Sequence, residues 1–389
     1  MKILQIHNEY FIRGGEETVL NNERKLLLKN GHKVKQIIRK NKEEISSIFN
    51  WFSVLKNLSY SKKSLEILEN YFKKNETPDV VHIHNIFPLW SYSVFKFFNE
   101  KKIPIVLTVH NFRLILGNIN FFDDNFHKYG LFKNSKILTY IVLRLFNKNK
   151  KFLKFISNFI FCTDFHKNIH KRHGFDKKRL VVKQNSLQMK KKYIKWAKRD
   201  EKVIYVGRLS PGKGLHTLMK AWKIWGKNAP ILEIIGNGED EINLRNYKKD
   251  HFLKNITFSG KLTYTQVQKK IEKSKLLIIP SEWYESFGLV IIEALLKGTP
   301  VAASDIGTLP DLIKNYRHGF LFKTKNENSL FKNVKKAWKN KSYLKKLSYR
   351  AKKTNKLYSH RDDYEKLMKI YNKVIINNNL NTKVKWKKN

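Results

Sequence analysis

The chain has 389 residues, which is enough for two domains with substantial cores. Apolar residues make up 41% of it and aromatic residues 13%, which excludes general disorder, and its single cysteine excludes an internal disulfide framework and a cysteine-based zinc site. The formal net charge of +47 predicts affinity for anions but identifies no particular partner, because the basic residues are spread along the whole chain.

Residues 1–7 are predicted to form a first strand, because they are too few and too soon polar for a signal peptide. No apolar stretch has the length that a membrane-spanning helix needs. The cytosol is therefore the expected location.

Short apolar runs alternate with helical patterns, which predicts parallel α/β sheets. Strands are predicted at 2–7, 33–39, 80–84, 105–109, 159–163, 180–184, 203–207, 231–235, 256–259, 276–279, 301–303 and 320–322. A polar, lysine-rich linker at 187–201 interrupts the alternation. We therefore predict two doubly wound (Rossmann-like) α/β domains, 1–186 and 202–361, facing each other across a cleft, with ligands at the carboxyl ends of the strands.

Two glycines follow the first strand and precede a helix predicted at 16–30. Gly14 and Gly15 would let a ligand approach the backbone at the helix N-terminus, where free amides and the helix dipole favour anions. A two-glycine loop is equally typical of an ordinary tight turn, and the loop lacks the three spaced glycines of the dinucleotide fingerprint.

Three histidines lie at strand ends in the first half. His110 ends the fourth strand on the side of the predicted cleft, where it could hydrogen-bond a substrate or move a proton, although a lone histidine is more often a packed structural residue. His82 and His84 end the third strand. Three histidines suggest a metal, but no carboxylate has matching sequence spacing, so no metal is expected.

The strand-end loops of the second half carry glycines and cations. Arg208 ends a strand and Lys213 begins a helix, so the two cations would converge on one point, as the binding of a diphosphate requires. They could instead be ordinary surface cations, and the loop lacks the phosphate-loop spacing. Two further loops could frame a nucleobase or be plain turns, and they contain Gly236, Gly238, Gly260 and Lys261.

The most informative segment is a strand end followed by a helix predicted at 286–298. Glu285 falls on the loop, and Glu293 lies about two turns into an apolar helix, where a carboxylate is costly unless it is hydrogen-bonded. Two carboxylates for hydroxyls beside a positive helix end suit a nucleotide-sugar. The amides expected to open the helix and to attract an anion belong to Ser286, Phe287, Gly288 and Leu289.

Together these residues resemble the retaining glycosyltransferases of family 4, which have the two-domain GT-B fold. The spacing of Glu285 and Glu293 matches that family's paired-glutamate motif, and the glycine loops, the two cations and His110 fall where the family has its sites. The stretches 15–18, 81–85 and 108–113 are similar to the branch that serves bacterial surface polysaccharides. The resemblance covers about residues 1–375.

The resemblance implies a role for each of these residues. Glu293 would bind the donor ribose and Glu285 the hydroxyls of the donor sugar. Arg208 and Lys213 would hold the diphosphate, assisted by the first glycine loop and the amides that open the helix at 286–298. His110 would contact the donor sugar near its reacting face.

The resemblance also implies the chemistry. The leaving diphosphate would help to deprotonate the acceptor, so that transfer occurs on one face with retained configuration. No metal or other cofactor is expected, because cations and helix ends neutralise the phosphates. The favoured donor would be a UDP-sugar, with a GDP-sugar as the alternative. The acceptor would be a glycan or a lipid-linked sugar in cell-surface polysaccharide synthesis. The family's last helix, here 362–376, would cross back onto the first domain, and the basic tail 377–389 is predicted to be disordered.

Two other classes of protein remain open. The charge would suit a nucleic-acid-binding protein, but the chain has no recognised nucleic-acid module and no clustered basic and aromatic face, so no nucleic acid is expected. A non-hydrolysing nucleotide-sugar epimerase of the same fold would need more acid and base carboxylates in the first domain.

Two segments of the first domain, 48–56 and 136–154, combine apolar and basic residues. They could pack against the sheet as ordinary amphipathic helices. Alternatively, they could make a peripheral contact with anionic lipid on the inner face of the cytoplasmic membrane, with Trp51 and Phe52 inserted, and bring the enzyme to a lipid-linked acceptor.

Overall fold

The computed structural model describes residues 1–11, 14–45, 48–115, 136–187, 193–314, 317–353 and 360–386, apart from the side chains of 48–52, 136–140, 314 and 381–386. The chain divides into two compact units, called here unit 1 (1–186 and 360–389) and unit 2 (187–359). Each unit is built on a six-stranded sheet in which every described strand pair is parallel.

The sheet of unit 1 has the strand order β2-β1-β3-β4-β5-β6. Its strands are β1 (Lys2–Glu9), β2 (Lys33–Lys40), β3 (Val80–Ile83), β4 (Ile105–Val109), β5 (Asn158–Phe161) and β6 (Leu180–Val182). Its helices are α1 (Gly15–Lys29), α2 (Asn41–Glu44), α3 (Ile48–Asn57), α4 (Lys62–Lys74), α5 (Ser93–Glu100), α6 (Lys136–Phe146), α7 (Asp164–Arg172) and the last helix of the chain, α15 (His360–Trp386).

Helices cover both faces of this sheet, which explains why its central strands β3 and β4 are buried throughout. Alternate strand residues point to opposite faces. Leu4 packs with the side chains of α4 and α5, whereas Ile3 packs with Leu367 and Tyr371 of α15. Helix α15 extends to Trp386, so the predictions that the last helix ends at 376 and that the tail beyond it is disordered are wrong for residues 377–386. No glycine or proline occurs after 360 to end the helix.

Unit 2 has the strand order β12-β11-β10-β7-β8-β9. Its strands are β7 (Asp200–Val206), β8 (Ile231–Ile235), β9 (Ile256–Gly260), β10 (Ser274–Ile279), β11 (Val301–Ser304) and β12 (Gly319–Phe322). Its helices are α8 (Leu215–Trp225), α9 (Glu241–Asp250), α10 (Tyr264–Lys273), α11 (Leu289–Leu296), α12 (Leu309–Lys314), α13 (Glu327–Lys339) and α14 (Lys341–Ala351).

The winding of this second sheet reverses between β7 and β10, its two central strands. In a doubly wound sheet, such a switch point forms a crevice at the carboxyl ends of the strands, where ligands bind. All twelve predicted strands are present, and the predicted class of two doubly wound α/β sheets is confirmed. No helix in the described ranges is both long enough and apolar enough to cross a bilayer.

Helix α11 begins three residues later than the predicted start at 286. Gly288 adopts φ +79°, a left-handed conformation that does not belong to a helix, so the helix can begin only at Leu289. Its end agrees with the predicted glycine cap. Gly298 has φ +68°, and the amide of Thr299 donates to the carbonyl of Ala294 at 2.8 Å.

Candidate active site

The loops that follow β7 and β10 lie against each other at the switch point of unit 2. The amide of Glu282 donates to the carbonyl of Gly212 at 2.9 Å. Gly214 adopts φ +70°, and a Cβ at this position would lie 1.9 Å from the carbonyl oxygen of Pro280. Only glycine therefore allows the two loops to approach this closely.

Lys213 and Glu285 form an ion pair between these loops. Lys213 Nζ donates to Glu285 Oε1 at 2.6 Å, and the same oxygen accepts hydrogen bonds from Ser281 Oγ at 2.7 Å and Trp283 Nε1 at 3.1 Å. Burial raises the pKa of Glu285, but the Lys213 ammonium and these hydrogen bonds outweigh burial and lower the pKa below its ordinary value. Glu285 is therefore an ionised acceptor at neutral pH.

Arg208 lies on a turn after β7 that packs backbone to backbone on the loop after β8. A Cβ on Gly236 would lie 1.9 Å from the carbonyl oxygen of Gly207. A Cβ on Gly238 would lie 2.2 Å from that of Leu209. These glycines hold the turn in place, while the Arg208 side chain is exposed and makes no hydrogen bond or ion pair with the part of the chain that is described.

Glu293 is a half-buried carboxylate on α11. Because the helix begins at Leu289, Glu293 lies about one turn from its start and not two. Burial raises the pKa of Glu293 to about 7, opposed only in part by the side chain of Gln268 on α10. Tyr264, at the start of α10, is near enough that burial and the Glu293 charge raise its pKa to about 12. The carboxylate is thus short of the hydrogen bonds that would stabilise its ionised form.

Gly260 is the last residue of β9, and Lys261 follows it, beside these loops. The carbonyl of Gly260 accepts from the amide of Gly236 at 2.9 Å, so the loops after β8 and β9 are joined. Lys261 is exposed. Both residues therefore lie at the carboxyl end of the sheet, as predicted.

The amides predicted to open α11 are distributed differently in the structure. Ser286 and Phe287 lie on the loop, Phe287 with its side chain buried, and Gly288 is the N-cap. Only Leu289 is helical. An anion at this position would therefore meet a loop and the first amide of the helix.

Gly14 and Gly15 lie at the exposed start of α1. The Gly14 amide donates to Glu17 Oε2 at 2.6 Å, and Glu17 Oε1 lies 3.5 Å from His7 Nε2. A carboxylate of the chain itself therefore caps this helix end, and Gly15, the first residue of the helix, is exposed.

His110 directly follows β4 and is 8% exposed. Its Nε2 lies 3.2 Å from His84 Nδ1, and the two rings are stacked. Burial, with smaller effects from His84 and His7, lowers the pKa of His110 well below its ordinary value. His110 is therefore neutral at neutral pH.

Glu23 of α1 is a buried carboxylate that the sequence analysis missed. Its Oε1 lies 2.8 Å from His82 Nδ1 and 3.2 Å from His84 Nε2, although Glu23 and His84 are 61 positions apart in the chain. Lys183 Nζ lies 3.6 Å from the other carboxylate oxygen. The signal that could have found Glu23 is its place on the apolar face of α1, with Leu20, Leu26 and Leu27.

Glu23, His82 and His84 offer three ligand atoms within 4.8 Å of one another and could hold a metal. However, one nitrogen of each histidine ring lies at hydrogen-bond distance from the carboxylate, and Lys183 supplies a positive charge beside it. These contacts give each ring and Glu23 Oε1 a partner without an ion, and the expectation that no metal binds stays a prediction.

Two family models match the chain: Glycosyltransferase Family 4 over residues 13–188, and Glycosyl transferases group 1 over residues 187–354. An uncharacterized 41.2 kDa protein in the cps region of Klebsiella pneumoniae is 24% identical over 343 residues, which are 84% of this chain and 87% of that protein. Two solved structures are similar in fold. Sucrose-phosphate synthase from Thermosynechococcus elongatus has a TM-score of 0.73 at 16% identity (97% of this chain, 100% of that one). Anabaena HepE in complex with UDP has a TM-score of 0.65 at 16% identity (95% and 99%).

The two parallel six-stranded sheets, the loops at the switch point and these matches define a glycosyltransferase of the GT-B fold. The chain belongs to glycosyltransferase family 4, as its paired glutamates predicted. Family membership sets aside the nucleic-acid-binding and epimerase alternatives.

Proposed function

We propose that the protein transfers a sugar from a nucleotide-diphosphate-sugar to a glycan or lipid-linked acceptor with retention of configuration. A UDP-sugar is the favoured donor, and a GDP-sugar is the alternative. The product would be part of a cell-surface polysaccharide. The observation that carries the proposal is the switch point of unit 2, where Lys213 meets Glu285. The relative in a cps region favours a polysaccharide product, and the UDP complex of HepE favours a UDP-linked donor.

Glu293 is proposed to bind the ribose of the donor. Its pKa of about 7 reflects a carboxylate that has lost water and gained few partners. Two vicinal hydroxyls would supply the missing hydrogen bonds. Each hydrogen bond to the charged carboxylate would contribute about 1.5–3 kcal/mol to the free energy of binding. The nucleobase would then lie beside α10, near Tyr264 and Gln268.

Arg208 and Lys213 are proposed to bind the diphosphate. The exposed guanidinium of Arg208 can form paired hydrogen bonds to phosphate oxygens. Lys213 has three donors, of which Glu285 takes one. A sugar attached to a diphosphate held by Lys213 would thus have its hydroxyls within reach of Glu285. Gly15 and the amides near Phe287 would assist, and these positive groups would replace a metal in neutralising the phosphates.

The transfer step needs a base for the acceptor hydroxyl. We assign this role to the departing diphosphate, whose oxygen takes the proton as the bond between the anomeric carbon and the diphosphate breaks. The acceptor oxygen forms its bond on the same face, so configuration is retained. His110 is proposed to contact the transferred sugar.

The proposal is tested by incubating the protein with a panel of UDP- and GDP-sugars and glycan or lipid-linked acceptors, with products identified by mass spectrometry and NMR. We expect one donor to be consumed, an α-linked donor to give an α-linked product, and activity to survive EDTA. An inverted product, or activity that EDTA abolishes and a divalent ion restores, would contradict retention or the metal-free site.

We further propose that unit 1 makes a peripheral contact with anionic lipid. Helix α6 and the turn after it expose one face on which Ile141 and Leu145, 45% and 38% exposed, alternate with Arg144 and Lys148. Apolar side chains flanked by cations suit the interface of an anionic membrane. The side chains of Trp51 and Phe52 lie outside the described residues, so the support comes from α6.

A further inference from the structure

Unit 1 contains a chain of three hydrogen-bonded residues that ends at His110, called here the buried relay: Glu23, His84 and His110. Glu23 Oε1 lies 3.2 Å from His84 Nε2, and His84 Nδ1 lies 3.2 Å from His110 Nε2. The three residues are 3%, 2% and 8% exposed. Water therefore has little access, and each nitrogen must find its partner within the protein.

The charge of Glu23 sets the direction of these hydrogen bonds. Its pKa is held well below its ordinary value, because electrostatic contacts with His82 and His84, together with the hydrogen bonds that both rings donate, outweigh the effect of burial. Lys183 lies 3.6 Å from the second carboxylate oxygen and pairs with Asp363 of α15 at 2.5 Å. A buried carboxylate beside a buried ammonium stays ionised and can only accept hydrogen bonds.

The positions of the protons follow from this. His84 must carry its proton on Nε2 in order to donate to Glu23. Burial, aided by His82, lowers the pKa of His84 to about 4, so the ring is neutral and its Nδ1 is bare. That bare nitrogen accepts from His110 Nε2. His110 is therefore left with a bare Nδ1, because a neutral imidazole carries one proton.

We propose that Glu23 is a positioning residue, which acts through His84 to fix His110 as the Nε2–H tautomer, so that His110 offers Nδ1 to the donor sugar as a hydrogen-bond acceptor. This inference rests on the proposed function. His110 then holds a sugar hydroxyl by accepting its hydrogen bond, and it does not donate a proton.

The test is nitrogen NMR of the full chain with labelled histidine, in which the ring signals of His110 are assigned with a His110→Gln variant. In the free wild-type protein we expect Nε2 to be protonated and Nδ1 to be bare. In Glu23→Gln, Lys183 keeps the carbonyl oxygen of the new amide facing itself, so the NH2 group faces His84. Gln5, whose Nε2 donates to Glu23 Oε1 at 3.1 Å in the wild-type protein, then turns its own amide to accept from this NH2 group. The relay then reverses, and His110 becomes protonated on Nδ1.

Kinetics on the same proteins links the tautomer to the reaction. We expect Glu23→Gln to lower kcat at least about tenfold while the affinity for UDP stays unchanged, because UDP lacks the sugar that His110 contacts. Glu44→Gln, which removes a carboxylate paired with Arg39 elsewhere in unit 1, is the matched control and should change neither the tautomer nor kcat. If Glu23→Gln does not fold, His84→Phe removes the middle ring, and His110 should then show a mixture of tautomers.

Several results would overturn the inference. The first is that His110 of the wild-type protein is protonated on Nδ1. The second is that Glu23→Gln leaves the tautomer of His110 unchanged. The third is that Glu23→Gln reverses the tautomer but leaves kcat unchanged. One divalent ion per chain, lost in Glu23→Gln, would also overturn it, since a metal-bound His84 cannot donate to Glu23. Failure of the proposed function would look different: the wild-type protein would bind no nucleotide-sugar, whatever the tautomer of His110.

Discussion

Glu293 is a single residue that is unfavourable for folding and that we propose to be useful for binding. A carboxylate on an apolar helix loses its hydration when the protein folds, and its pKa of about 7 measures that loss. A ligand that brings hydroxyl donors would restore the missing hydrogen bonds. The sequence pointed to this tension, because Val290, Ile291 and Ile292 surround the position.

Replacing Glu293 with Gln should stabilise the free protein at high pH. The folded pKa of about 7 lies above the ordinary value of 4.5, so the contribution of Glu293 to stability is full below pH 4.5 and is lost as pH rises to 7. Above pH 7 the ionised carboxylate lowers the free energy of unfolding by about 3 kcal/mol, because each unit of pKa shift corresponds to about 1.36 kcal/mol. Denaturant unfolding should show the variant to be more stable than wild type at pH 8 and similar at pH 5. A loss of stability that is equal at both values would contradict the assignment.

The two cations should act on the phosphates and not on the nucleoside. Arg208→Ala and Lys213→Ala should each lower the affinity for UDP at least about tenfold, because each removes a charged hydrogen-bond donor. The affinity for uridine should stay close to that of the wild-type protein. Lys227→Ala is the control, since Lys227 is exposed but precedes β8, at the opposite end of the sheet. Titration calorimetry measures both ligands. Wild-type UDP affinity in both cation variants would place the diphosphate elsewhere.

At the scale of elements, two loops from strands that are adjacent in space but distant in sequence form the proposed donor site. The loop after β7 supplies the cations, while the loop after β10 and helix α11 supply the glutamates. The contact between these loops depends on one glycine, whose missing side chain leaves room for the carbonyl of Pro280. The geometry of the site is therefore set by backbone packing as much as by its charged residues.

Gly214→Ala should separate the two loops. The methyl group would lie 1.9 Å from the carbonyl oxygen of Pro280, so the loop must move and carry Lys213 away from Glu285. Gly31→Ala is a matched control, because Gly31 lies just after the end of α1 with a similar left-handed φ, +80° against +70°, but has nothing within 4 Å of its added methyl. Both variants should lose about 1 kcal/mol from backbone strain, but only Gly214→Ala should also lose UDP affinity. Equal affinity in the two variants, measured by calorimetry, would show that the loop contact does not shape the site.

Sequence patterns predicted the strands well because each strand is a local apolar run. They misplaced the start of α11 because the left-handed conformation of Gly288 is set by its surroundings. They missed Glu23 as a partner for the histidines, since the fold joins residues from α1 and β3 that no local pattern links. The paired glutamates could be proposed from sequence because both lie within one short segment, and their roles stay a prediction.

At the scale of the whole molecule, the net charge of +47 supports the proposed contact with anionic lipid. A basic surface is attracted to anionic lipid, and each juxtamembrane cation contributes about 1 kcal/mol. The exposed face of α6 adds apolar side chains to that attraction. Such a surface would bring unit 1 to a lipid-linked acceptor.

The protein should sediment with anionic vesicles, more with rising anionic lipid and less with rising salt. Ile141→Ser combined with Leu145→Ser should reduce the bound fraction several-fold, because two exposed apolar groups no longer enter the interface. The control is Ile242→Ser combined with Phe252→Ser, which removes two exposed apolar side chains from unit 2, 73% and 83% exposed. No sedimentation at low salt, or an equal reduction by both pairs, would contradict the proposed contact.

The most direct test of the account is titration calorimetry of the whole protein with UDP-sugars, in two buffers of different ionisation enthalpy. A UDP-sugar has no group that titrates near neutral pH, so any proton released at pH 6.5–7 comes from the protein. We predict that one UDP-sugar binds with release of part of a proton, as ribose hydroxyls favour ionised Glu293. Glu293→Gln should bind at least about tenfold more weakly and release no proton. Binding that is equally tight in the variant, or no binding of any nucleotide-sugar to the wild-type protein, would contradict the central claim that the switch point of unit 2 is the donor site.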